Sequence, residues 1–105
     1  HCHCTGGMAE MAYWEAIRAG VDGVDVCVSS MSMGPAQPPV ESILAAVRGT
    51  SRDPGIDLGA FKEISDYFLK IRQKYAGFET KLVGVDVGCL KHQIPAACFP
   101  IWRAS

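Results

Sequence analysis

Apolar residues recur at two different spacings along this 105-residue chain. From Met8 to Ala19 they come every three or four positions. Met8, Met11, Ala12, Ala16 and Ala19 form one stripe, which predicts a helix with Thr5 able to cap its start and Gly20 ending it. From Val21 to Val28 the period shortens to two. Val24, Val26 and Val28 share one face, and Asp25 and Cys27 the other. A β-branched run directly after a helix predicts a parallel strand covered by helices. SSMSMGPAQPP, residues 29–39, predicts a loop. Glu41 to Arg48 predicts a helix stopping at Gly49. TSRDPGID predicts a turn cluster. Asp57 then caps the longest helix, about Leu58 to Tyr75, with Phe61, Ile64, Phe68, Ile71 and Tyr75 as its core stripe. Residues 81–95 are expected to be extended or irregular.

The first four residues, His-Cys-His-Cys, fit one more strand. On a strand, residues two apart point to the same side. His1 and His3 would then reach one metal ion, with Cys2 and Cys4 turned away. Such a strand, a Thr-Gly-Gly turn and a helix are how a (β/α)8 barrel presents ligands at its catalytic mouth. The order strand, helix, strand, loop, helix, long helix predicts an α/β protein. It suits the end of an α/β barrel followed by the start of something else.

Composition bounds the function without naming it. The content is 49% hydrophobic and 20% charged, an ordinary globular mixture. A net charge of −1 and a pI near 6.3 give no reason to expect nucleic acid or an anionic membrane as partner. No apolar run approaches the ~20 residues of a membrane span. Five cysteines make an odd number without CxxC spacing, which favours reduced thiols and a cytoplasmic protein.

Five stretches carry a family resemblance: HCHCTGGMAEMA, AIRAGVDGVDVCVSSMSMG, QPPVES, GIDL and HQIP. In this order and spacing the chain resembles the carboxyltransferase domain of biotin-dependent enzymes. These include pyruvate carboxylase, the oxaloacetate decarboxylase alpha subunit and the keto-acid subunit of transcarboxylase. The resemblance covers residues 1–95. It implies an α/β fold in which residues 1–56 supply the last two strands and helices of a carboxyltransferase TIM-type (β/α)8 barrel, and 57–95 form a post-barrel helix and the entry to a mainly helical, funnel-shaped C-terminal region. It also implies that His1 and His3 are metal ligands, with an aspartate and a modified lysine supplied by earlier strands. A divalent ion (zinc, cobalt or manganese) would polarise the keto acid's carbonyl. Pyruvate or oxaloacetate would be substrate, and biotin would arrive on a carrier domain or subunit outside this chain. The parent is expected to be a homo-oligomer without direct membrane insertion, associated with a membrane, if at all, through partner subunits. Gln37 would line the biotin or substrate pocket.

The resemblance also exposes departures. Many relatives carry GTSQP in the loop, with a threonine taken to relay a proton between biotin and substrate. Here that position is Pro35, which has no hydroxyl; the transcarboxylase subunit shares this Gly-Pro. The chain starts at His1 without a methionine, and a TIM barrel needs eight strands and ~250 residues. A piece of a longer enzyme, inactive alone, is therefore expected. After HQIP the family continues close to GGMLSNLESQ, whereas this chain has AACFPIWRAS. Back-translated from the third base of the Pro95 codon, a permitted choice of codons restores Gly-Gly-Met, Leu or Phe, then SNLESQ. Residues 96–105 are thus expected to be frameshifted by one deleted base, leaving Cys98, Trp102 and Arg103 without a selected role.

Rival readings remain beside this one. The lyases and synthases of hydroxymethylglutaryl and isopropylmalate type share the barrel and the HxH pair, but HQIP belongs to a region they lack. A zinc knuckle built from His1 to Cys4 is disfavoured, because four consecutive residues wrap a tetrahedral ion poorly and zinc modules split their ligands into spaced pairs. His92 is expected to be a surface or packing residue. Asp25 either helps orient groups at the barrel mouth or is a buried structural carboxylate, while Asp22 faces away from it. Ser29, Ser30 and Ser32 have no base beside them and give no nucleophile. Met31 and Met33 are expected to pack.

Overall fold

The structure is a computed structural model, and it describes residues 1–79 and 81–92. The expected frameshift at 96–105, with Cys98, Trp102 and Arg103, lies outside the described residues, as does the end of HQIP.

Among the described residues four α-helices carry the fold: α1 (Ala9–Ala19), α2 (Val40–Val47), α3 (Phe61–Lys74) and α4 (Val87–His92). Short 3₁₀ turns occupy Cys4–Gly6, Ser29–Met31, Leu58–Ala60 and Ala76–Phe78. Local chemistry explains most boundaries. Gly20 ends α1 in a left-handed conformation (φ 101°), its N–H bonded to Ile17 O and that of Val21 to Ala16 O. Asp57 caps the turn that leads into α3 through its carboxylate and the Gly59 N–H, 3.1 Å apart. Asp86 does the same for α4 through Gly88, at 2.9 Å.

Several expectations are corrected. Neither His1–Cys4 nor Val21–Val28 pairs into a ladder, and no strand occurs among the described residues. The only β pairing there is a parallel bridge between Cys27 and Pro39. The reason is physical. A strand exists through a neighbour, and among the described residues the backbone bonds that tie these two runs to another extended segment go to the loop at 33–40: Cys4 N to Ala36 O, Cys27 N to Pro38 O and Val40 N to Cys27 O. Thr5 does not cap α1. It is buried within the first 3₁₀ turn, its hydroxyl without a partner among the described residues, while Met8 occupies the cap position. The buried face of α1 is Ala9 and Tyr13, not the stripe through Met8 and Met11, both more than half exposed. None of the α3 stripe is fully buried. Met31 and Met33 are exposed rather than packed. Residues 87–92 are helical where extended or irregular chain is expected.

The core is small. Its buried side chains include Cys4, Ala9, Tyr13, Pro38, Leu44 and Val47, and α1 contacts both α2 and the first turn. α3 lies against the Ser29–Met31 turn, stitched by Ser30 N to Ser65 Oγ (3.1 Å), Ser30 Oγ to Ser65 O (2.7 Å) and Arg72 Nη1 to Ser30 O (2.7 Å). Large apolar side chains remain in the open, among them Tyr67, Phe78, Val83 and Val87. No helix among the described residues is long and apolar enough to cross a membrane.

Candidate metal centre

The two histidines sit at the head of the first turn, and backbone bonds hold them there. Cys4 N–H donates to Ala36 O at 2.8 Å, tying the run to the loop at 33–40. Gly7 closes the turn in the left-handed region (φ 74°), its N–H on Cys4 O at 2.8 Å. Buried Tyr13 of α1 joins the two extended runs. Its hydroxyl accepts from Cys2 N–H at 3.0 Å and donates to Asp25 O at 2.6 Å. The aromatic ring anchors in the core and its polar tip fixes residues 2 and 25 relative to each other.

This anchoring brings four side chains together. His1 Nδ1 lies 2.9 Å from Asp25 Oδ2. His3 Nδ1 bonds the Pro35 carbonyl oxygen. A carboxylate and a carbonyl only accept, so both Nδ1 atoms carry the proton of the neutral ring. Both Nε2 atoms then carry a lone pair, and they face each other at 3.1 Å. The rings meet edge-on, 4.9 Å between centroids. Gln37 Nε2 lies 3.1 Å from His1 Nε2 and 3.3 Å from His3 Nε2, so its N–H groups donate into the same space. Its other end accepts from the Cys27 thiol at 3.2 Å, which orients the amide.

Two lone pairs at this distance repel each other, and a cation between them turns that repulsion into attraction. The two Nε2 atoms, 3.1 Å apart, would hold a divalent ion between them, and neutral imidazole nitrogen is an ordinary ligand for such ions. The donor set therefore fits a divalent ion, but supplies only part of its shell. Among the described residues no group of three His, Cys, Asp or Glu could hold a metal.

The expected site residues fall into place unevenly. His1, His3 and Gln37 converge. Pro35 contributes its carbonyl oxygen rather than a side chain. Asp25 is exposed, not a buried structural carboxylate, and it touches His1. Tyr13 and Cys27 escaped the sequence reading. The period of two already put Cys27 on the side of Asp25, whereas nothing in the pattern told Tyr13 from a core residue. Asp22 joins none of these contacts. Cys4 is buried, and the Cys2 thiol lies 3.7 Å from His3 O. Burial, reinforced by Glu10, pushes the Cys4 thiol up to about 11, which leaves it protonated and a poor ligand. Burial likewise raises the Tyr13 phenol above its ordinary value.

No family model matches the chain. Individual proteins do. Over 96 residues it is 46% identical to a pyruvate carboxylase subunit of Methanocaldococcus jannaschii, covering 90% of this chain and 17% of that protein. It is 44% identical over 95 residues to the methylmalonyl-CoA carboxyltransferase 5S subunit of Propionibacterium freudenreichii subsp. shermanii, covering 90% of this chain and 19% of that one. The fold superposes on the carboxyl transferase domain of Rhizobium etli pyruvate carboxylase, solved with pyruvate and biocytin. There the TM-score is 0.88 and the identity 37%, over 94% of this chain and 17% of that chain. The chain thus spans less than a fifth of the length of these relatives. It is a homologue of one segment of the biotin-dependent carboxyltransferases.

Proposed function

We propose that this chain supplies two metal ligands, His1 and His3, to a carboxyltransferase centre that moves a carboxyl group between biotin and pyruvate or oxaloacetate. The observation that carries the reading is the convergence of the two Nε2 lone pairs at 3.1 Å, with each Nδ1 held from behind. A divalent ion (zinc, cobalt or manganese), when bound, supplies a Lewis acid for the keto acid's carbonyl. This chain's own contribution is orientation. Asp25 and the Pro35 carbonyl hold the rings, and Gln37 offers an amide at the rim for the substrate or for the biotin ring. Pro35 has no hydroxyl, so no proton moves through its side chain. The remaining ligands and the biotin carrier lie outside this chain. In the same reading residues 1–56 close a TIM barrel and 57–95 begin the region beyond it. The open apolar side chains of α1 and α3 meet the other elements there, and the parent is a homo-oligomer.

The test is a zinc titration of the purified chain, followed through the histidine resonances. The expected result is weak binding, reported by His1 and His3 together and lost in His1→Ala and His3→Ala alike. The chain alone should neither form nor decarboxylate oxaloacetate. Tight one-to-one binding would overturn the reading in favour of a self-contained zinc module, and zinc without effect on either histidine would remove the metal-ligand role.

A further inference from the structure

The hydrogen bonds behind the two histidines differ in kind. His3 is held by the Pro35 carbonyl, a backbone group that no substitution at position 35 removes. His1 is held by a side chain, Asp25, 24 residues away. A metal-binding imidazole needs its donor nitrogen unprotonated and aimed, and its other nitrogen sets both. Resting on the metal-ligand role of His1 and His3, we propose that Asp25 is a positioning residue for the metal centre: its carboxylate holds His1 as the Nδ1–H tautomer and directs the Nε2 lone pair at the point His3 also addresses.

Three further features support the assignment. Asp25 belongs to the run whose alternate residues, 25 and 27, both face the pair, Cys27 through Gln37. The Asp25 backbone is fixed independently of its side chain, because Tyr13 Oη donates to Asp25 O at 2.6 Å. Among the described residues the carboxylate bonds His1, and it caps no helix. Its place is therefore explained by the imidazole. Gln37 completes the arrangement. Its N–H groups lie on the two bare Nε2 atoms and need both histidines in this tautomer. If His1 carried its proton on Nε2, the Gln37 amide 3.1 Å away would lose its acceptor there.

The experiment uses the whole chain without metal. Long-range proton–nitrogen correlation of the imidazoles, in the pH range where both are neutral, reads each tautomer directly. Wild type should show Nδ1–H for His1 and His3. Asp25→Ala should move His1 alone towards Nε2–H, with His3 as internal control. Zinc should then bind about tenfold more weakly, the lower end of the range for lost partners of metal-bound histidines, since this site is open to water. Asp25→Asn keeps an acceptor and should retain the wild-type tautomer. If Asp25→Ala perturbs the chain as a whole, Asp25→Asn decides through affinity, a loss of severalfold being expected from the lost charge. A His1 that stays Nδ1–H in Asp25→Ala, or unchanged zinc affinity in both variants, overturns the proposal. Should zinc leave wild-type histidines untouched while the tautomer still follows Asp25, positioning of His1 stands and the metal reading falls.

Discussion

Replacing Tyr13 by Phe isolates one joint of the site with little change in core volume. The ring is 3% exposed and would stay where it is; only the hydroxyl goes. With it go a bond from Cys2 N–H at 3.0 Å and a bond to Asp25 O at 2.6 Å. A typical intramolecular hydrogen bond contributes ~1 kcal/mol net, and two backbone groups in a half-buried place lose their partner at once. The expected destabilisation is therefore ~2 kcal/mol, read as a lower urea midpoint at an unchanged slope. A second signature comes from pH. Burial raises the folded phenol above its unfolded value, ~10, so the neutral phenol contributes stability that is complete below ~pH 10 and is lost as pH rises through the folded value. Wild type should weaken steeply in that alkaline window, and Tyr13→Phe should lose this part of the slope. A third readout is local: the Cys2 amide should exchange with solvent faster in the variant. Equal urea midpoints together with equal alkaline slopes would refute the joint. It would mean that residues 2 and 25 are placed by something other than this hydroxyl.

Two further expectations follow from local geometry. Cys4, buried and with its thiol pushed up to about 11, should resist alkylation at about pH 8 while the half-buried Cys2 and Cys27 react; Cys4 modified as fast as Cys2 in folded protein would contradict its burial. Gly7→Ala should destabilise by at least ~1–2 kcal/mol, because φ is +74° and the added methyl would fall 2.3 Å from Val85 Cγ1; a neutral result by thermal melting would mean that the 83–86 segment does not lie on the first turn.

How much of this was legible in the sequence depends on whether a feature is local. The C-terminal end of α1 and the start of α3 follow from Gly20 and Asp57, residues whose backbone freedom or carboxylate acts within one turn of chain, and the sequence places both to within a few positions. The face of α1 was not legible. Ala9, Tyr13, Ala16 and Ile17 satisfy the helical period as well as the methionine stripe does. The choice between them is made by what the helix rests on, namely α2 and the first turn. Strands are the extreme case. The valines at 24, 26 and 28 alternate as a strand requires, and Asp25 and Cys27 do point together to the site, so the period was right while the ladder was absent. Periodicity is a property of one segment; a ladder is a property of two.

The same distinction governs the site. That His1 and His3 share one side is legible because their relation spans two residues. The group behind His3 is not, because it is the carbonyl of residue 35, and a carbonyl is present at every position of every chain. This bears on the proline itself. Against the threonine of relatives, Pro35 counts as the loss of a hydroxyl. In the structure the position is engaged through an oxygen that proline and threonine share, and proline's fixed φ restrains the loop that presents it. Pro35→Thr should accordingly leave the His3 tautomer unchanged and lower zinc affinity little, since the carbonyl remains. Pro35→Gly should loosen the loop and weaken binding more than Pro35→Thr does. If threonine proved as damaging as glycine in a zinc titration, the backbone argument would fail and the ring of Pro35 would itself have to be what His3 rests against.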